Sequence, residues 1–257
     1  MSRETSGVLE HDGERLAWRR IDGEGPTVVW LGGFRSDMAG TKAQALADAA
    51  AESGRAYLRF DYIGHGESSG AFEDGTIGRW TSDALGVIDR LTDGPLVLVG
   101  SSMGGWIACL VALARPERVK GMVLIAPAAD FTEALMGPSL PDEAVVALEK
   151  VGLWMHPSEY GEPWPLTARF LEEGRDHLIL TGEQIDIDVP VHVLQGGEDP
   201  DVPWDHALAL AMSLSSRDVV FTLIKDGDHR LSRLQDLDRL TQAVEEICQI
   251  SRSAAPS

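Results

Sequence analysis

Short runs of apolar, β-branched residues alternate along the chain with longer stretches of helical periodicity. Thr27-Val28-Val29-Trp30-Leu31 reads as a strand, and the Ala-rich segment from Gly40 to Ser53 as a helix. Ala56 to Phe60 predicts a strand, Trp80 to Leu91 a helix, Leu96 to Val99 a strand, Met103 to Ala114 a helix and Val119 to Ile125 a strand. Later come Val191 to Leu194 as strand, Trp204 to Leu214 as helix, Val219 to Ile224 as strand and a closing helix from Leu231 to Ile250. Repeated strand-helix alternation predicts an α/β fold with a mostly parallel central sheet and helices on both faces.

Between Asp130 and Asp188 the alternation stops. Pro138, Pro141, Pro157, Pro163 and Pro165 punctuate this stretch, and Trp154, Tyr160, Trp164 and Phe170 make it aromatic. It reads as a small inserted cap, with helices near Pro141 to Lys150 and Thr167 to Gly174. The expected organisation is a core over residues 1–129, a cap over 130–188 and the rest of the core over 189–257. Open α/β sheets take ligands at the carboxyl ends of their strands, so a segment inserted after Val119 to Ile125 would overhang the binding edge. Trp154, Met155, Trp164 and Phe170 are then candidates either for an acyl pocket or for packing the cap on the core. The Ser-rich tail after Ile250 reads as a frayed terminus.

Charge narrows the list of partners. With 22 Lys+Arg against 41 Asp+Glu the 257-residue chain carries a formal charge of -19, and no basic stripe interrupts that sign. Such a surface repels nucleic acid and anionic membrane, so neither is an expected partner. The longest apolar run, Trp106 to Ala114, is too short to span a bilayer, and Met1 to Gly13 lacks the apolar region of a signal peptide. Cys109 and Cys248 each fall within an apolar helical pattern, as reduced structural thiols do. A cytoplasmic location and a small-molecule substrate are expected.

Gly-x-Ser-x-Gly occurs twice, at Gly66 to Gly70 and at Gly100 to Gly104. Only the second lies between a strand, Leu96 to Val99, and an immediate helix, Gly104-Gly105-Trp106-Ile107-Ala108. That context lifts a serine hydroxyl above the sheet edge at a helix N-terminus, which makes Ser102 the candidate nucleophile. A serine needs an imidazole to take its proton. Of the seven histidines, His229 stands in a loop, Lys225-Asp226-Gly227-Asp228-His229, just beyond the last strand and at the same sheet edge. The carboxylate that fixes the imidazole tautomer is assigned to Asp199, which follows the strand Val191 to Leu194 and opens Asp199-Pro200-Asp201-Val202-Pro203. Glu198, Asp201 and the more distant Asp130 are its competitors. The resulting order, Ser, Asp, His, is that of α/β-hydrolases.

Backbone amides are expected to hold the oxyanion: Met103 N–H, after the nucleophile, and Phe34 N–H, aimed by Gly32 and Gly33. Gly64-His65-Gly66 follows a strand, but Ser69 stands where a dinucleotide fingerprint needs its third glycine or alanine. No phosphate loop, paired-cysteine motif or His-Glu-x-x-His is present, so no cofactor and no metal are expected.

Beyond the elbow the chain carries Gly40-Thr41-Lys42-Ala43, Arg59-Phe60-Asp61-Tyr62, Ala114-Arg115-Pro116-Glu117, Pro157-Ser158-Glu159-Tyr160, Val202-Pro203-Trp204 and Asp228-His229-Arg230. With Gly100-Ser101-Ser102-Met103-Gly104-Gly105-Trp106 these resemble the α/β-hydrolase superfamily along nearly the whole chain. Within it they resemble the branch of acyl-protein thioesterases and acyl-glucuronide esterases that has mitochondrial members and bacterial relatives. The resemblance implies a Ser102, Asp199, His229 triad and cleavage of acyl-cysteine thioesters or acyl glucuronides. Two departures stand out. The superfamily's oxyanion-loop His-Gly is Gly32-Gly33 here, and no targeting extension precedes the core, which leads to the expectation of a bacterial-type cytoplasmic enzyme acting on small esters or thioesters. Lactone opening and carbon–carbon bond hydrolysis use the same triad, and a ligand-binding protein without turnover is the reading from another class.

Overall fold

The computed structural model of the chain describes residues 4–157 and 162–253. In chain order it begins with β1 (Thr5–His11), β2 (Glu14–Ile21), β3 (Glu24–Leu31), α1 (Thr41–Ser53) and β4 (Arg55–Phe60). A 3₁₀ turn at Phe72–Asp74, α2 (Ile77–Leu91), β5 (Leu96–Ser101), α3 (Met103–Ala114) and β6 (Val119–Ile125) follow. A π-helical turn at Thr132–Met136 then leads to α4 (Gly137–Ser139), α5 (Asp142–Val151), β7 (Leu153–His156), β8 (Trp164–Thr167), α6 (Ala168–Gly174) and a 3₁₀ turn at Arg175–His177. The chain closes with β9 (Val191–Gly196), α7 (Trp204–Ser213), β10 (Val219–Ile224) and α8 (Leu234–Ser253).

Eight strands form one sheet in the order β1-β2-β4-β3-β5-β6-β9-β10. It is parallel from β4 to β10, and β1 and β2 add an antiparallel hairpin at one edge. This hairpin extends the expected sheet, and His11 closes its first strand. Asp12 and Gly13 turn it with φ of 49° and 82°, leaving His11 opposite Glu14. That is the two-residue Asp-Gly connection whose twist matches paired strands.

Side-chain alternation divides the core into two layers. Val28, Trp30, Val97, Val99, Val123 and Ile125 point to one face and pack with residues of α1 and α8. Val29, Leu31, Leu96, Leu98, Met122 and Leu124 point to the other and pack with α2, α3 and cap residues. Helix α2 shows why it lies there: Thr76 caps it by accepting Arg79 N–H at 3.2 Å, and Ile77, Trp80, Ala84, Val87 and Ile88 form a buried stripe at helical spacing. Helix α3 is buried over almost its whole length, Cys109 included; neither Cys109 nor Cys248 is in a disulfide. Burial, with the nearby Asp130 charge, pushes the Cys109 thiol up to about 12. Among the described residues no helix is long and apolar enough to cross a membrane.

The chain leaves β3 for β4 on one side and returns to β5 on the other. That reversal opens a crevice at the carboxyl ends of β3 and β5, where Phe34 and Ser102 follow their strands.

Candidate active site

Ser102 occupies the turn between β5 and α3 with φ 55° and ψ -119°, a conformation that costs a non-glycine residue on the order of 1–3 kcal/mol. The surroundings over-determine it. Its N–H donates to Ile125 O at 2.8 Å, and its carbonyl accepts Gly105 N–H at 2.8 Å and Ala128 N–H at 3.1 Å. The flanking glycines are required by contact: a Cβ on Gly104 would lie 2.0 Å from Leu31 O, and one on Gly100 would lie 2.3 Å from Gly104 O. The second Gly-x-Ser-x-Gly copy is a clasp. Ser68 Oγ donates to Asp61 O at 2.7 Å and accepts Ala17 N–H at 2.9 Å, tying that loop to β2.

His229 Nε2 lies 3.2 Å from Ser102 Oγ, and its Nδ1 lies 2.9 Å from Asp199 Oδ2. A carboxylate beside Nδ1 places the proton there and leaves the Nε2 lone pair toward the serine. The loop bearing His229 is held by Gly227 N–H on Ile224 O and by Glu198 N–H on Gly227 O, both at 2.9 Å. From α1, Lys42 Nζ donates to Arg230 O at 2.5 Å. Asp199 is anchored as firmly. Its Oδ1 accepts the amides of Asp201 and Val202 at 2.9 Å each, and its Oδ2 accepts Gln195 Nε2 at 3.2 Å. Burial pushes the Asp199 carboxyl upward, but the hydrogen bonds from His229, Val202 and Asp201 and the charge on His229 outweigh it and hold it below the usual carboxylate range.

The competing acids lie elsewhere. Glu198 and Asp201 are exposed, and Asp201 meets Asp199 only through its amide. Asp130 is buried and gives its carboxylate to Ile179 N–H at 2.9 Å and Leu180 N–H at 2.7 Å, stapling the end of the cap segment to the exit of β6. Burial raises its carboxyl above the ordinary range despite those bonds. The remaining histidines bond away from Ser102: His11 to Ser82, His65 to Ile63 O, His156 to Pro157 O, His177 to Glu173, His192 to Thr222 and His206 to Ala129 O.

Gly33 lies against the nucleophile, so that a Cβ there would sit 3.4 Å from Ser102 Cβ. Phe34 and Met103 therefore flank Ser102 from the ends of β3 and β5, and among the described residues neither amide donates a backbone hydrogen bond. Such open amides suit an oxyanion. The Phe34 ring is the hub of an aromatic cluster, with centroids of Phe72, Trp80, Phe131, Trp164 and Phe170 within 5.1–5.9 Å. Trp164 and Phe170 are thus cap-to-core packing, while Met155 is half exposed and Trp154 packs on His156. Tyr160, the fourth cap aromatic, and the Ser158-Glu159-Tyr160 part of its motif lie outside the described residues, as does the end of the tail. Beside the Gly33–Ser36 turn opens a cavity of about 380 Å³ lined by Arg35, His65, Phe72 and Trp164 among others.

Asp199, Asp201 and His229 bring potential metal-ligand atoms within 4.8 Å of one another. Both Asp199 oxygens already accept N–H donors, an arrangement suited to orienting an imidazole. Gln195, a buried amide at the end of β9, is a site residue that strand periodicity does not single out; its signal is a polar side chain on the same face as Val191 and Val193 in Val191-His192-Val193-Leu194-Gln195.

Comparison with known proteins places these features in context. The family described as serine aminopeptidase, S33, matches residues 26–167. The human mitochondrial palmitoyl-protein thioesterase ABHD10 is 37% identical over 234 residues, covering 90% of this chain and 76% of that protein. The solved structure of mouse α/β-hydrolase domain-containing protein 10 superposes with a TM-score of 0.87 at 34% identity, covering 95% of this chain and 98% of that one. A crystal structure from Agrobacterium vitis S4, named a hydrolase, reaches a TM-score of 0.90 at 45% identity over 96% of this chain and 99% of its own.

Proposed function

Because the chain belongs to the α/β-hydrolase superfamily and is an ester or thioester hydrolase, we propose that Ser102, His229 and Asp199 are its catalytic triad and that it works through an acyl-enzyme. The observation that carries this reading is the continuous chain from Ser102 Oγ through both ring nitrogens of His229 to Asp199. His229 Nε2 takes the Ser102 proton as Oγ bonds to the acyl carbon. The carbonyl oxygen gains the negative charge and is held by the amides of Phe34 and Met103. Collapse breaks the bond to the alcohol or thiol, which receives the proton from the imidazolium. A water, deprotonated in turn by His229, then attacks the acyl carbon and releases Ser102 and the acid. Asp199, kept ionised, balances the imidazolium at each stage.

For the substrate, neutral acyl esters and thioesters are favoured over acyl glucuronides, because a chain of net charge -19 repels a glucuronate carboxylate. The human relative is named a palmitoyl-protein thioesterase, and acyl thioesters are accordingly the first substrates to assay.

A fluorophosphonate probe read by intact mass tests the mechanism: the wild type gains one adduct and Ser102→Ala none. An unlabelled wild type overturns the reading. Hydrolysis rates for acyl thioesters, aryl esters and an acyl glucuronide across chain lengths then test the substrate class, and a glucuronide hydrolysed fastest would overturn the preference stated here.

A further inference from the structure

We infer that Ser36 is a positioning residue of the oxyanion turn, Gly33 to Ser36: its hydroxyl grips the Gly33 carbonyl and so fixes the amide at the other end of the same peptide, Phe34 N–H, beside Ser102. The inference rests on the hydrolase reading above and deepens it by one residue.

Gly33 O and Phe34 N–H belong to one peptide unit. Its atoms are planar and trans, so the carbonyl and the N–H point in opposite directions and can only turn together. The two Cα atoms that carry the unit are held from outside. Gly33 packs on the nucleophile's turn, where an added Cβ would lie 3.2 Å from Ser101 O and 3.4 Å from Ser102 Cβ. Phe34 is anchored through its ring, which stacks on Phe170 and meets Phe72, Trp80, Phe131 and Trp164 edge-on. One motion is left to the unit: rotation of its plane about the line between the two Cα atoms, which changes the aim of Phe34 N–H. A group that holds Gly33 O stops that rotation.

Ser36 holds it twice. Ser36 Oγ donates to Gly33 O at 2.7 Å, and Ser36 N–H donates to the same oxygen at 3.1 Å, closing the four-residue turn. A carbonyl oxygen has two lone pairs, and here two donors meet them. The hydroxyl bond is the shorter, and among the described residues Gly33 O is the hydroxyl's only partner. The same Oγ lies against both glycines before the turn, since a Cβ on Gly32 or on Gly33 would be 3.5 Å from it. Backbone preference alone does not close this turn: Arg35 has φ 58°, a region that residues with a Cβ rarely adopt, so each bond that closes it counts. Donors on a carbonyl also polarise its peptide, which makes the N–H at the far end a stronger donor. Ser36 therefore both aims and strengthens Phe34 N–H, an amide that donates no backbone hydrogen bond among the described residues.

The test measures kcat and KM on an aryl ester, the inhibition constant of phenylboronic acid and the melting temperature for Ser36→Ala and Ser36→Thr. Boron accepts a lone pair of Ser102 Oγ, the serine proton passes to His229, and the resulting tetrahedral boronate carries the negative charge, so its affinity reads the oxyanion donors in a stable adduct. Ser36→Ala keeps the backbone bond to Gly33 O and loses the hydroxyl. Its kcat is expected to fall about tenfold, the scale of one hydrogen bond, with KM changed less than about twofold and the boronate constant raised by the same factor as kcat falls. Ser36→Thr keeps a hydroxyl and is expected to return both to within about threefold of wild type. Ser36 is exposed, so both variants should melt within a few degrees of wild type. Wild-type kcat in Ser36→Ala, a loss of kcat that boronate affinity does not share, or no recovery in Ser36→Thr overturns the inference and leaves the hydrolase reading standing. A wild type that hydrolyses no ester and takes no fluorophosphonate overturns that reading, and this inference with it.

Discussion

Gln195 Nε2 donates to Asp199 Oδ2 at 3.2 Å, to the oxygen that also faces His229 Nδ1 at 2.9 Å. The same Nε2 lies 3.0 Å from Val202 O, so a single buried amide ties the end of β9 to the far side of the acid-bearing turn. Asp199 would keep two backbone donors without it, from Asp201 and Val202, but both serve Oδ1.

Gln195→Leu is therefore expected to lower kcat by about tenfold with little change in KM, and to cost on the order of 1–3 kcal/mol of stability because Val202 O loses its buried donor. Steady-state kinetics and chemical denaturation check both. An unchanged kcat would show that the Oδ1 amides alone orient the carboxylate.

Two buried aspartates should separate by function and by the sign of their pH dependence. Asp199→Asn is expected to lower turnover by about 10⁴-fold, since the amide favours the wrong imidazole tautomer. Asp130→Asn should leave turnover within about threefold but destabilise by about 1–3 kcal/mol, because its amide nitrogen must face Ile179 or Leu180 N–H. Asp199 is depressed in the fold, so its ionisation contributes stability above the ordinary carboxylate value of about 3.9, and that contribution is lost as pH falls through its folded value. Asp130 is raised, so the folded state holds its proton more tightly, and stability falls as pH climbs from about 3.9 through the folded value. On acidification below neutral pH, the stability gap between wild type and Asp199→Asn should narrow and that between wild type and Asp130→Asn should widen. Urea unfolding from pH 3 to 7 measures both; gaps moving in the same direction would contradict the assigned environments.

Why was the proposed triad legible in sequence while much around it was not? Ser102, Asp199 and His229 each follow an apolar strand, and in a parallel sheet every such position falls on one edge, so strand order alone predicts that they converge. The helices were legible because α2 and α5 carry stripes at helical spacing and proper starts. The β1–β2 hairpin was not, since it is an edge ribbon with exposed charges such as Glu10 and Arg15, and apolar alternation is weak there; Asp12-Gly13 was its one strong signal. Nor was the β7–β8 hairpin, whose Pro165 and exposed Leu153 and Met155 do not read as strand. Gln195 and the staple formed by Asp130 depend on which amides tertiary packing brings within reach, and periodicity carries no such information.

The glycines around Ser102 should differ in what they lose. Gly104→Ala places a methyl 2.0 Å from Leu31 O, a backbone atom that cannot move aside, so the variant is expected to unfold or to lose the elbow. Gly33→Ala meets Ser101 O at 3.2 Å and Ser102 Cβ at 3.4 Å, contacts a shift of a few tenths of an ångström relieves. It should therefore fold with a melting temperature within a few degrees of wild type while kcat falls by about ten- to a hundredfold, because that shift occurs where the oxyanion is proposed to form. Thermal melts paired with fluorophosphonate labelling rates distinguish the two; a Gly33→Ala enzyme of normal rate would place the oxyanion away from this turn.

Phe170 ties the segment between β6 and β9 to the core. It lies on α6, is buried, stacks on Phe34 at 5.3 Å and 23°, and touches Trp80 at 5.6 Å and Phe131 at 5.9 Å. Truncation at such a site removes the transfer energy of the ring and leaves a cavity among side chains that cannot collapse easily, so Phe170→Ala is expected to cost about 3–5 kcal/mol. The effect should reach the chemistry through Phe34, whose ring loses its only stacked partner among the described residues and whose amide is a proposed oxyanion donor. Phe170→Leu keeps most of the volume and should recover about half of the stability. Denaturation gives the energies, and kcat measured well below the melting temperature gives the coupling. A Phe170→Ala enzyme that is destabilised as expected yet turns over at the wild-type rate would show that the cap and the oxyanion turn are independent, with Phe34 held by its own strand and turn alone.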